Sequence, residues 1–274
     1  MANTVDWKKN GAVDTTRGPS PAIWADCPIK DIIENPGIGV FFRDDFLSFP
    51  ITPPTTEGNW GQYSMFSSTG GTATAGTGQG GELVIGSDGD NEGVSLRTIS
   101  TPFKITRGLK KLWFEARIKF STITDTKNGL FIGLREDAAL DATHPIAADG
   151  TLADANFVGF HRLEGDGDQI DFVYKANGVT QVTVQADGLA TALAADTYVK
   201  LGFIFEPEND LAGTNRIVAF NNNLRMTTSY NLASAAGTDF PNDVALGLCL
   251  SMLNATASSP GTNTIDWWQV AQLL

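Results

Sequence analysis

Cysteine and histidine are nearly absent from this chain of 274 residues, with two of each, and basic residues are outnumbered, 19 Lys and Arg against 31 Asp and Glu. Cys27 in the leading segment and Cys249 in an apolar run make no disulfide framework, and a buried thiol behaves as a small hydrophobe. A net charge of −12 argues against affinity built on phosphate neutralisation, so neither nucleic acid nor an anionic membrane is an expected partner. No stretch approaches the roughly eighteen consecutive apolar residues of a membrane span. The leading MANTVDWKKNGAVDTTRG lacks an apolar h-region, so no Sec-type export is expected. Helical periodicity is missing too. Only 18% of residues are charged, and the 29 glycines with many Thr, Ser and Asn point to short strands and frequent turns.

What is present is alternation. In LWFEARIKFSTITDTKNGLFIGL, Leu112, Phe114, Ala116, Ile118 and Phe120 fall on one parity while Glu115, Arg117 and Lys119 fall on the other. That is the period-two pattern of a strand with one buried and one wet face, and it predicts Glu115 as a solvated charge. After the polar run Ser121–Gly129, Leu130, Ile132 and Leu134 resume the inward parity. Val199, Leu201, Phe203 and Phe205 alternate as cleanly, as do Val244, Leu246, Leu248, Leu250 and Met252, so these strands are expected to share one core. Asn177-Gly178 and Asn221-Asn222-Asn223 mark hairpins, because Asn and Gly accept left-handed backbone. The run Gly70–Gly81, GGTATAGTGQGG, reads as a mobile loop. About a dozen short strands without helical crossovers predict an all-β fold, a two-sheet antiparallel β-sandwich of the jelly-roll type, over residues 39–274.

Residues 1–38 read as an extended N-terminal arm. Trp7, Ile23, Trp24, Ile32 and Ile33 are apolar but aperiodic and lie among Pro and Gly, with at most one helical turn at Pro28–Glu34. Such an arm either wraps its own sandwich or docks on another chain, and docking makes these five the expected partner-binding residues.

FFRDDF at Phe41–Phe46, FEARIKF at Phe114–Phe120 followed by GLFIGL, and TIDWWQVAQ at Thr264–Gln272 resemble strands of the concanavalin A-like lectins and laminarinase-type glucanases. The resemblance covers roughly residues 40–272 and implies a jelly roll. The glucanases carry Glu-x-Asp-x-x-Glu on one strand, and retaining hydrolysis needs two such carboxyls close together. The counterpart here is Gln169-Ile170-Asp171-Phe172-Val173-Tyr174, so the resemblance implies that both catalytic Glu positions are lost, to Gln169 and Tyr174, and that Asp171 alone remains. No catalytic residue is therefore expected, and Glu164, like Glu115, reads as a surface charge.

Other chemistry is thin. The chain has neither a G-x-S-x-G elbow nor a P-loop, and His161, beside Arg162, reads as a hydrogen-bonded structural residue. Asp88, Asp90 and Glu92, and likewise Asp166 and Asp168, are weak candidates for calcium, since hard cations want several oxygens on a bent loop; as Gly-rich acidic turns they need no metal. No other cofactor is implied. Of the adjacent Trp267 and Trp268, one is expected in the core and the other over the arm or as a flat sugar platform, which makes Trp268 the glycan candidate.

A non-catalytic jelly roll with an arm and no export signal resembles decoration and fibre-like proteins of tailed bacteriophage. The resemblance implies a virion structural protein, a homo-oligomer that contacts a major capsid protein or another virion component. The alternatives are a lectin-like module for host-surface glycans, bound on a sheet face or end loops, and a laminarinase-like glycoside hydrolase.

Overall fold

The computed structural model describes residues 13–48, 53–54, 57–106, 110–124, 128–136, 144–147, 149–163, 169–186, 192–207, 214–226, 230–233, 238–254 and 261–274. Two short helices, α1 (Pro21–Trp24) and α2 (Ile29–Glu34), precede the strands. The first strands are β1 (Gly39–Asp44), β2 (Glu57–Trp60), β3 (Tyr63–Ser67), β4 (Gly71–Ala75), β5 (Leu83–Ser87), β6 (Glu92–Thr98) and β7 (Phe103–Lys104). Then come β8 (Leu112–Phe120), β9 (Gly129–Glu136), β10 (Phe157–Arg162), β11 (Asp171–Lys175), β12 (Val182–Gln185) and β13 (Tyr198–Glu206). The series ends with β14 (Thr214–Asn221), β15 (Leu224–Arg225), β16 (Tyr230–Ala233), β17 (Ala245–Asn254) and β18 (Thr262–Leu273).

Two nine-stranded antiparallel sheets result. Sheet A runs β15-β14-β13-β8-β18-β5-β4, with β1 on β18 and β16 on β14; sheet B runs β12-β11-β10-β9-β17-β6-β3-β2, with β7 on β17. β8 and β9 lie in different sheets. The alternating residues meet where the pattern places them: Phe114, Ile118, Leu201, Phe203, Leu248 and Leu250 are fully buried in one core between the sheets. Burying a side chain of this size stabilises by about 1.5–3 kcal/mol, and the strands are held by the face that supplies it. Both Asn hairpins form, with positive φ at Asn222, Asn223 and Gly178.

Three sequence expectations need correction. The first concerns the wet face of β8. Glu115 is fully buried, because residues 13–38 lie across the outer face of sheet A. Ser20 N–H and the Trp24 indole N–H donate to its carboxylate at 3.0 and 2.7 Å. Lys200 Nζ, also buried, donates to Asp14 and to Gly18 O at 2.8 and 2.9 Å, and Trp267 Nε1 donates to Arg17 O at 2.7 Å. Ile23, Trp24 and Ile32 join Trp113, Ile204, Val218, Phe220 and Ala271 in a second apolar cluster beneath the arm. The arm therefore wraps its own sandwich over its described part, and three of the five docking residues are spent on that contact.

The second correction is the Gly70–Gly81 run. It contains β4, which pairs with β5 from Gly71↔Ser87 to Ala75↔Leu83 and buries Ala73. Small residues add little packing, yet the backbone pairs as well as any other.

The third is Trp268. Asp266 and Trp267 together oppose Arg117, a β-bulge that resets the parity of β18. Ile265 and Trp268 consequently both face the core, and Asp266 is turned outward to Arg17 and Arg117. Trp268 is fully buried against Phe46 and Tyr63, and its Nε1 donates to the Tyr63 hydroxyl at 3.2 Å, so it presents no face to a sugar.

Candidate functional site

On sheet B the side chains that point away from the core form rows set by the strand register. One row runs Asp171, His161, Phe131, Ser251, Ser95, Phe66 and Glu57; the next runs Val173, Gly159, Gly133, Cys249, Arg97, Ser64 and Asn59. The middle of this face is roofed. Ile146, Leu152 and Ala155 pack on Phe131, Phe157, Val173, Cys249 and Leu253.

Both histidines belong to this roofing. His161 Nε2 donates to Gly150 O at 3.0 Å, which ties β10 to the covering segment in the structural role its sequence context suggests. His144 Nδ1 lies 2.8 Å from Ser95 Oγ, which also meets Ser251 Oγ at 2.8 Å. Burial pushes both imidazoles down to about 4, so each is neutral at neutral pH. The Cys249 thiol in the same layer is pushed up to about 11 by burial and stays protonated.

Beyond the roof, on the β2–β3–β6 side, the face opens. Phe66 is half-buried and meets the His144 ring edge-on at 4.7 Å. Arg97 is half-buried one row away, and Asn59 and Glu57 on β2 are exposed. An aromatic ring beside an exposed amide and an exposed carboxylate combines an apolar surface with donors and acceptors, the mixture that a sugar ring presents in return. Sequence alternation alone does not reveal this shoulder, because β2 is short and carries Gly58 in its middle. A usable signal exists in Trp60-Gly61-Gln62-Tyr63: Gly61, at φ 67°, opens a two-residue turn of the kind that closes β2 on β3.

The glucanase-like positions do not converge. Tyr174 faces the core and packs edge-on against Phe240 at 5.1 Å, so the third position of the motif points away from Asp171. Asp171 and Glu57, the two carboxylates of the outer row, stand six strands apart, roughly 29 Å at about 4.8 Å per strand. Glycoside hydrolysis needs a pair about 5–9.5 Å apart.

Of the other candidates, Ile33 is exposed, while Trp7, Glu164, Asp166 and Asp168 fall outside the described residues. Glu92 sits against Asp88, and its carboxyl is raised by burial and by that neighbour. Among the described residues no three His, Cys, Asp or Glu side chains converge as metal ligands, and Asp90 joins no such group.

The chain matches no protein-family model and no curated protein. Solved structures do match. An endo-1,3-β-glucanase from Streptomyces sioyaensis superposes with a TM-score of 0.53 at 14% identity, over 85% of this chain and 95% of that one. A Bacteroides ovatus GH16 protein of mixed-linkage glucan use, solved with a G4G4G3G product, gives 0.51 at 9% identity, over 84% and 99%. Peanut lectin gives 0.50 at 13% identity, over 86% and 98%. At these identities the likeness establishes architecture alone: the chain has the jelly-roll fold shared by concanavalin A-like lectins and glucanases.

Proposed function

We propose that this protein is a non-catalytic carbohydrate-binding domain that holds a neutral glycan on the β2–β3–β6 shoulder of sheet B. The observation that carries this reading is the half-buried Phe66 ring, fixed edge-on by His144 and flanked by the exposed Asn59 and Glu57 on one face. Phe66 stacks on the apolar face of a sugar ring, and the flanking polar groups hydrogen-bond its hydroxyls. Gln169 and Tyr174 at the two Glu positions of the glucanase motif, with Tyr174 turned into the core, support binding without cleavage. The lectins and glucanases that share the fold act on or recognise saccharides, which suits the same class of ligand here. Screening the labelled full chain on a glycan array tests the reading: a defined set of saccharides is retained by wild type and lost by Asn59→Ala, and no reducing sugar is released from laminarin or lichenan.

A second reading, a virion component that docks on a capsid protein or on a copy of itself, is favoured by one observation. Ile33 and Leu274 are about 60% exposed, and Leu274 N–H bonds Ile38 O at 2.9 Å, which sets an apolar corner beside α2. Co-sedimentation of the chain with assembled particles, lost on Ile33→Asp, is its test.

A further inference from the structure

The space between the two sheets is open at one edge. There β1 pairs only with β18 in sheet A, and the two-residue β7 pairs only with β17 in sheet B. Between these edges lies a slot of about 250 Å³ that opens to solvent. Its walls are apolar and come from both sheets: Phe42 of β1 and Phe103 of β7 pack against the core, and Pro102 and Ile99 line the sheet B side. Phe103 is fully buried and Phe42 half-buried, while Ile99 is 46% exposed.

The rim carries Gln62 and Ser100. Gln62 Nε2 donates to Asp44 Oδ2 at 2.6 Å and to the Tyr63 hydroxyl at 3.1 Å. A carboxylate only accepts, so the end of the amide held by Asp44 is the NH2 group. The Gln62 carbonyl, without a partner among the described residues, is the end left to offer. Asp44 is itself satisfied, since Phe46 N–H donates to its Oδ1 at 2.8 Å and the Tyr63 hydroxyl donates to its Oδ2. The slot thus presents one oriented, neutral acceptor beside an apolar interior.

Size, wall and rim each narrow the ligand. Enclosed apolar cavities of about 150 Å³ already take up benzene, so this slot has room for one ring and a substituent. The two Phe side chains offer edges and faces on which an aromatic ring packs with preference. The Gln62 carbonyl calls for a donor: an anion brings none, and an ammonium would lose its hydration among four apolar side chains. A neutral aromatic hydroxyl meets all three conditions.

We propose that the slot between β1 and β7 binds a phenolic ring. The site is separate from the β2–β3–β6 shoulder and does not rest on the glycan reading. Gln62 and Phe66 are four residues apart along extended chain, about 13 Å, so the ring enters either free or as the substituent of a saccharide that reaches Phe66.

The test follows the Ile99 methyl resonances of the full chain by NMR while phenol, toluene or cyclohexanol is added. Saturable movement by phenol, at least fivefold tighter than by either analogue, is the expected result. In Gln62→Leu phenol falls to the level of toluene. Ile99→Asp, at an exposed position that leaves the melting temperature unchanged, removes phenol binding as read calorimetrically. 4-Hydroxyphenyl β-glucoside separates the two sources: binding tighter than phenol and weakened by Asn59→Ala marks a ring carried on a saccharide, and affinity equal to phenol marks a free one. Phenol itself binds Asn59→Ala as it binds wild type, so failure of the shoulder and failure of the slot are read separately. Unmoved Ile99 methyls, a smaller preference for phenol, or phenol binding that survives Ile99→Asp would overturn the proposal.

Discussion

The indole N–H of Trp24 donates to the carboxylate of Glu115 at 2.7 Å, joining the N-terminal segment to the middle of sheet A. Burial pushes Glu115 up to about 7, against the hydrogen bonds from Ser20 and Trp24 and the charge of Lys200. Its folded pKa stands above its unfolded value, so the folded state binds the proton more tightly. The stability this contributes is fully present below about pH 4.5 and is lost as pH rises through about 7. Glu115→Gln keeps an acceptor for both donors and is expected to raise stability at pH 8 by about 1–3 kcal/mol while flattening the decline from pH 5 to 8. Urea unfolding at the two pH values checks this; parallel wild-type and variant curves would contradict it.

Trp24→Ala is expected to cost about 3–5 kcal/mol, the range for emptying a large buried aromatic site. Removing residues 1–38 is expected to cost more, since it strips Glu115 and Lys200 of their partners. A truncated chain that melts like the full one would show that the arm is an appendage.

The histidines act with the opposite sign to Glu115. Their folded pKa values, about 4, lie below the ordinary 6.5, so the stability they contribute is present above that value and is lost as pH falls through 4. His161→Gln is expected to reduce the acid-side loss between pH 6.5 and 4 by about 1–2 kcal/mol, read from melting temperatures across that window.

These sites show which residues announce themselves. β8, β13 and β17 are legible because one face of each enters the common core, and alternation records burial on one side. Glu115 is not, because its partners Ser20 and Trp24 lie 95 and 91 residues away and nothing local marks its face as covered. β2 and β4 hold their places through backbone pairing, which leaves a faint mark in side-chain pattern. Trp268 misleads because the bulge at Asp266 inverts the parity that adjacent residues otherwise keep. Phe66 is legible as a strand residue, but its neighbours on the shoulder come from a hairpin only Gly61 betrays.

Trp268→Ala follows from that bulge. It is expected to destabilise by about 3–5 kcal/mol through the cavity left beside Phe46 and Tyr63, and to leave any glycan affinity of the surviving folded fraction unchanged. A stable variant that had lost sugar binding would return Trp268 to the surface.

Calorimetric titration of the full chain with the saccharide it retains on an array, beside Asn59→Ala and Phe66→Ala, tests the central claim most directly. Asn59 is exposed, so its replacement leaves the melting temperature unchanged. The account predicts saturable binding by wild type, at least tenfold weaker in both variants, with the saccharide recovered intact. Equal affinity in all three proteins, or a cleaved saccharide, would contradict it.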